Sequence, residues 1–293
     1  MLKQAIEMRA LVALVDIERE ADLAALAANP PILEELLTLR IVFCCAGTRE
    51  TVLPKLPALL RERSQRVQLV ALGLYLNDLD MPDKSCKDLF KRMRSRDTSY
   101  YSLVTRLHLA SADVGRDGAL ALQELLMSQT CALRSLDLSS TKLDGFTLLQ
   151  ALRGNSSLTS LDVRLIPGIS ALYQSLGDTL LQEGAMCRLG FLRCDAFDVL
   201  EGEKVLSLKE KPLEAGASRL LAGLLKHNKV LTDVDLTATD MEKSEAVSFA
   251  AVLEFAESLQ CLRLQHNPGL DAEAKGTIRV AADQYKPNLR LEL

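Results

Sequence analysis

His108, Asp137 and Asp162 are the residues whose chemistry is worth testing first. They recur at intervals of about 25 to 30 residues along a chain of 293, so they meet only if the chain repeats at that interval. Together, an imidazole and two carboxylates could move a proton or hold a metal. Each carboxylate would raise the other's pKa, and their charge would favour a protonated imidazole. Against that, the chain has 3 histidines, the other two being His227 and His266, and neither falls near the group. Neither an HExxH helix nor a phosphate-binding GxxxxGK[ST] loop occurs. We therefore expect no catalytic residue, no metal ligand and no cofactor.

The elements that would position these side chains are legible from Leu231 to Asn267. Leu231, Val234, Leu236, Thr239 and Met241 stand at relative positions 1, 4, 6, 9 and 11, and Leu259, Leu262, Leu264 and Asn267 repeat the first four offsets 28 residues later. Between them lies an apolar helical stretch, 244–257. The pattern L-x-x-L-x-L-x-x-N-x-L can be laid down again at Leu36, Leu69, Val104, Leu133, Leu158 and Leu189. Positions 4 and 6 point one way from a short strand and position 5 the other. Each strand and each helix has one apolar side, so no unit closes a core alone and neighbours must stack. Helices are expected over 51–63, 83–94, 117–127, 145–153, 171–182, 215–226 and 272–285. Asp117, Asp144, Ser244 and Asp271 are expected helix starts, and Gly154-Asn155 and His227-Asn228 left-handed helix ends. His227 would complement the helix dipole. Between 158 and 213 the spacing breaks: 192–198 and 203–208 lie too close to flank a helix. They are either two neighbouring strands joined at Glu201-Gly202-Glu203 or one strand and a loop. Residues 2–28 carry apolar residues at helical spacing without Pro or Gly, and read as one or two covering helices.

These recurring leucines resemble the leucine-rich repeat family, and the 28 to 29 residue period with a full helix resembles its ribonuclease-inhibitor-like subclass. The resemblance implies an α/β solenoid, a horseshoe with a parallel β-sheet on the concave face and α-helices on the convex face. Residues 1–32 would form an N-terminal helical cap and 33–293 a repeat domain of about eight to nine units. The family's Asn at position 9 bonds backbone groups where the chain leaves the strand. Here position 9 is Asn only at Asn77 and Asn267; Cys44, Ala112, Thr141, Ile166, Phe197, Lys211 and Thr239 stand elsewhere.

On such a sheet the exposed row would gather Arg106, His108, Asp137, Asp162, Arg164, Arg193, Asp195, Asp235 and Arg263, with neighbours about 5 Å apart. One reading is a docking strip for a protein partner. The other is an ordinary wetted face with cross-strand ion pairs. The basic run Lys84, Lys87, Lys91, Arg92, Arg94 and Arg96 is read as a solvated helix face, since no interleaved aromatics offer base stacking.

Composition narrows the partners. A net charge of −4 argues against nucleic acid, which leans on excess Lys and Arg. The apolar run near the N-terminus is too short to span a membrane. Seven cysteines without zinc-type spacing suit a reducing, cytoplasmic compartment, and a cytoskeletal or ciliary assembly fits that setting. The expected function is a non-catalytic interaction scaffold. The alternative is an enzyme regulator, since the subclass includes Ran GTPase-activating proteins and ribonuclease inhibitor.

Overall fold

The computed structural model describes residues 12–17, 38–43, 71–75, 83–95 and 104–293. The fold is α/β, and the chain divides into two compact units, Met1–Thr147 and Leu148–Leu293.

In the first unit, strands β1 (Val12–Ile17), β2 (Thr38–Phe43), β3 (Ala71–Tyr75), β4 (Val104–His108) and β5 (Ser135–Asp137) pair in parallel and in chain order. Parallel neighbours need a crossover. Helix α1 (Asp83–Arg94) supplies it between β3 and β4, and α2 (Gly115–Leu126) between β4 and β5. Val104 and Leu107 of β4 are buried while Arg106 is exposed, the alternation a half-covered sheet requires. On α1, Cys86, Leu89, Phe90 and Met93 are all buried, a stripe at helical spacing.

One expectation fails here. Residues 12–17 lie within the expected helical cap, yet they form strand β1, in register with β2 from Val12↔Thr38 to Ile17↔Phe43. The segment Val-Ala-Leu-Val-Asp-Ile is rich in β-branched residues, whose stiff side chains favour strands. The rest of 1–32, the helix expected over 51–63, Asn77, Cys44 and Arg96 lie outside the described residues.

Helix α3 (Gly145–Arg153) carries the boundary between the units. In the second unit β6 (Ser160–Asp162) pairs in parallel with β7 (Phe191–Arg193), and a 3-10 turn and α4 (Tyr173–Leu181) lie between them in the chain. Strand β7 then turns back into β8 (Asp198–Val199), which pairs with it antiparallel. A second sheet, of four parallel strands, has the order β12-β11-β10-β9. Its strands are β9 (Val205–Ser207), β10 (Asp233–Asp235), β11 (Cys261–Arg263) and β12 (Arg290–Glu292). The helices between them are α5 (Ala217–Leu225), α6 (Lys243–Val252) and α7 (Ala272–Tyr285). The irregular stretch thus resolves as two strands, β7 and β9, in separate sheets, with the small hairpin strand β8 between them. Gly202, at φ 91°, makes the turn into β9.

The turn leaving β4, β5, β6, β9, β10 and β11 is the most regular feature of the described backbone. At position 8 Ser111, Ser140, Leu165, Glu210, Ala238 and His266 all take left-handed φ between 54° and 59° in sequence terms. Such φ is costly without glycine, and it persists because the turn amide is bound. Ser111 N–H donates to the Ser139 carbonyl at 2.8 Å, Glu210 N–H to Thr237 at 2.8 Å and Ala238 N–H to Gln265 at 2.9 Å. The role expected of His266, as part of a turn, is the one it has.

Position 9 fastens the same turns. Asn267 donates to the carbonyls of Leu236 (2.7 Å) and Leu264 (2.8 Å) and accepts from the amides of Thr239 (2.8 Å) and Met241 (3.1 Å). The Thr141 and Thr239 hydroxyls each reach one carbonyl, Leu138 at 2.7 Å and Leu236 at 3.1 Å. Ile166 and Phe197 are simply buried.

The helix ends depart from expectation in two ways. Gly154, Asn155, His227 and Asn228 are not left-handed. Instead the Asn155 side chain accepts from Ser157 and Leu158 amides, and that of Asn228 from Val230 and Leu231. Asn155 is 1% exposed, so its Asn-Ser-Ser sequon is closed to modification in this fold. At α6 the cap is Glu242 with Glu245 in a capping box, not Ser244. Asp144 and Asp271 start their helices as expected, accepting from Thr147 and Ala274 amides.

Candidate functional site

The residues of the polar row divide between the two units, and in each unit its members have local partners. In the first unit β4 and β5 set His108 opposite Asp137, with His108 Nδ1 3.4 Å from Asp137 Oδ2. Asp137 also accepts from the Ser139 amide (3.0 Å) and hydroxyl (2.7 Å). Burial pushes the Asp137 carboxyl up, but the hydrogen bonds from His108 and Ser139 outweigh it and leave its pKa below the ordinary value. A carboxylate so occupied is a poor proton acceptor near neutral pH. Arg106 is exposed on the same strand.

Asp162 lies in the second unit, 7% exposed, and is gripped by Arg164. The Arg164 Nε donates to Asp162 Oδ1 at 3.0 Å and Nη2 to Oδ2 at 2.7 Å, a bidentate pair. Arg193 is held less well. Its Nη1 is 3.4 Å from Asp162 and its Nη2 3.4 Å from Asp198, while its Nε is buried without a hydrogen-bond partner. Asp195 points elsewhere and accepts from the Leu165 amide at 2.9 Å. It replaces the carbonyl that binds the position-8 amide in the regular turns, at the place where the β7–β8 hairpin interrupts them. Asp235 accepts from the Thr237 amide (3.0 Å) and hydroxyl (2.7 Å), and Arg263 lies 3.4 Å from Glu292.

Asp137, Asp162 and Asp235 therefore share a task. Each takes the amide of the residue two places on and so closes the end of its strand. The signal was in the sequence as Asp-x-Ser, Asp-x-Arg and Asp-x-Thr. Asp198, the second carboxylate at Arg193, was missed because the hairpin that presents it has no repeat spacing.

Two of the six residues of the basic run pair with α2: Lys87 with Asp117 and Arg94 with Glu124, each at 2.5 Å. These are exposed pairs of small individual value. A recess of about 480 Å³ in the first unit is lined by Asp113, Arg116, Lys142 and Asp144 among others. Its carboxylates are committed to the starts of α2 and α3, Asp113 accepting from Gly115 and Asp144 from Thr147. None of the five described cysteines is in a disulfide, and Cys86, Cys187, Cys194 and Cys261 fill the core. Among the described residues no group of three or more His, Cys, Asp and Glu side chains is gathered to hold a metal. No described helix is long and apolar enough to cross a membrane.

His227 does not complement the dipole of α5. Burial, with Lys226, Arg188 and Lys229 nearby, pushes its pKa down to about 4, against 6.5 for an ordinary histidine, so it is neutral at pH 7. Between those values the unfolded chain holds a proton that the fold refuses. Stability is therefore full above pH 6.5 and is lost as pH falls towards 4. The ring is only half buried, so the loss is about 1–2 kcal/mol after allowing for solvent screening. Urea unfolding at pH 7 and pH 4.5 should show a larger acid loss in the wild type than in His227→Phe. Equal losses would refute the assignment.

No protein-family model matches the chain, and no curated protein matches it.

Proposed function

We propose that the chain is a non-catalytic protein-binding scaffold, a leucine-rich repeat solenoid of horseshoe form that receives its partner on a strand face. What supports the solenoid is the recurring strand, left-handed turn and helix, with parallel registry in each unit. What carries the binding role is Arg193. A guanidinium has five N–H donors, and here they make only two ion pairs at 3.4 Å while Nε has no partner. Nε is buried, but the side chain as a whole is 37% exposed, so an acidic group from a partner can reach the Nη groups, whose two ion pairs are long. His108, Asp137, Asp162 and Asp235 serve this reading less directly, as residues that hold the face in shape.

The test is affinity capture with the full chain, comparing the wild type with Arg193→Gln. Asp162 keeps Arg164 in that variant and Asp198 is solvated, so the melting temperature should stay within about 2 °C. A partner captured by the wild type should be lost at least tenfold by Arg193→Gln and kept by Lys275→Glu on α7. Equal capture by all three proteins would remove Arg193 from the interface.

A further inference from the structure

The recess in the first unit, of about 480 Å³, has the size of a small-molecule site. Its lining comes from the start of α2 and from the segment that leads into α3. The apolar part of that lining is uneven. Val114 and Leu143 are 3% and 5% exposed, whereas Leu120 on α2 stays 48% exposed. Leu122, Leu125 and Leu126 of the same helix are each 1% exposed, so Leu120 is the leucine of α2 that no other part of the fold covers.

The polar lining divides by what is already spent. Asp113 Oδ1 accepts from the Gly115 amide at 3.2 Å, and Asp144 Oδ2 from the Thr147 amide and hydroxyl, both at 2.9 Å. Each carboxylate thus sits at a helix start, where the positive end of the dipole, about half a charge, partly offsets it. Arg116 and Lys142 are exposed, and among the described residues neither has a hydrogen-bond or ion-pair partner. Asp117, which feels the charge of Arg116, is paired with Lys87 at 2.5 Å. Two free cations and two helix starts against two committed carboxylates leave a surplus of about one positive charge.

We propose that this recess binds a small organic monoanion with an apolar body. The body lies against Leu120, Val114 and Leu143, and Arg116 and Lys142 meet the anionic group. Both cations are free to do so without breaking any contact of the fold. The site belongs to the first unit and Arg193 to the second, so it stands or falls apart from the scaffold reading.

Anilinonaphthalene sulfonate is a fluorescent probe of this chemistry, and its neutral parent, phenylnaphthylamine, has the same rings without the charge. The wild-type full chain should bind one sulfonate per chain with a dissociation constant on the order of 10–100 µM. The neutral parent should bind at least tenfold more weakly. Arg116→Ala and Lys142→Ala should each weaken the sulfonate at least threefold, and the pair together at least tenfold. Their melting temperatures should stay within about 2 °C of the wild type, because neither side chain has a partner to lose. Leu120→Ser should weaken sulfonate and neutral parent by the same factor, since it removes apolar contact and no charge. A wild type that binds no sulfonate overturns the proposal. So does sulfonate binding indifferent to the Arg116→Ala, Lys142→Ala pair, or a neutral parent that binds as tightly as the sulfonate.

Discussion

Asn267→Ala should lower unfolding free energy by about 3–4 kcal/mol, the largest loss expected from a single polar side chain among the described residues. The amide links the end of β11 to that of β10: two carbonyls, Leu236 and Leu264, and two amides, Thr239 and Met241, depend on it. Asn267 is 7% exposed, so water reaches few of the groups an alanine would strand. Each buried backbone group without a partner costs about 1–3 kcal/mol, and the costs overlap because relaxation is shared. Thr141→Val is the internal comparison. It removes one hydroxyl bond, to the Leu138 carbonyl at 2.7 Å, and should cost only about 1 kcal/mol. Urea titration of both variants gives the ratio. Similar losses would mean that Asn267 fastens nothing beyond its own turn.

The same contrast explains what could be read from the sequence. Leucines at positions 1, 4 and 6 announce their burial by recurrence, and Leu107, Leu136, Leu161, Leu206, Val234 and Leu262 are all buried as that spacing requires. The helix expected over 272–285 is α7 residue for residue, since an Asp cap and an apolar stripe at Ala274, Ile278 and Ala282 define it locally. Strand β1 was missed because Val-Ala-Leu-Val offers apolar residues at both helical and strand spacing. There the decision rests with pairing to β2, a tertiary fact.

The polar row was harder, for a different reason. Spacing shows which residues share a face but not which atoms are already spent. Asp137 and Asp235 look like surface carboxylates in a sequence, yet a serine or threonine two places on claims each of them. Arg193 and Arg263 look alike too. Arg263 faces Glu292 at 3.4 Å, while Arg193 faces Asp162 at the same distance and also Asp198, supplied by a hairpin that breaks the repeat. The place where periodicity fails thus holds one of the several buried polar atoms without a hydrogen-bond partner, Arg193 Nε.

Gly216→Ala should cost about 3–5 kcal/mol although it adds only a methyl group. Gly216 has φ 82°, a left-handed conformation that costs alanine about 1 kcal/mol. A Cβ there would stand 2.4 Å from the Gln174 nitrogen and 2.8 Å from its Cα. Both are backbone atoms of α4, so relief requires α4 or the start of α5 to move, at about 1–3 kcal/mol. Movement is resisted by a hydrogen bond: the Gly216 amide donates to the Glu245 carboxylate at 2.6 Å, and Glu245 is 5% exposed. Displacing the amide leaves a buried carboxylate oxygen short of a donor. Gly168 isolates the conformational part of this sum. Its φ is 72° and nothing lies within 4 Å of an added Cβ, so Gly168→Ala should cost only about 1 kcal/mol. Thermal unfolding of the two variants separates strain from collision. If Gly216→Ala melts no lower than Gly168→Ala, the approach of α5 to Gln174 is not a constraint on the fold.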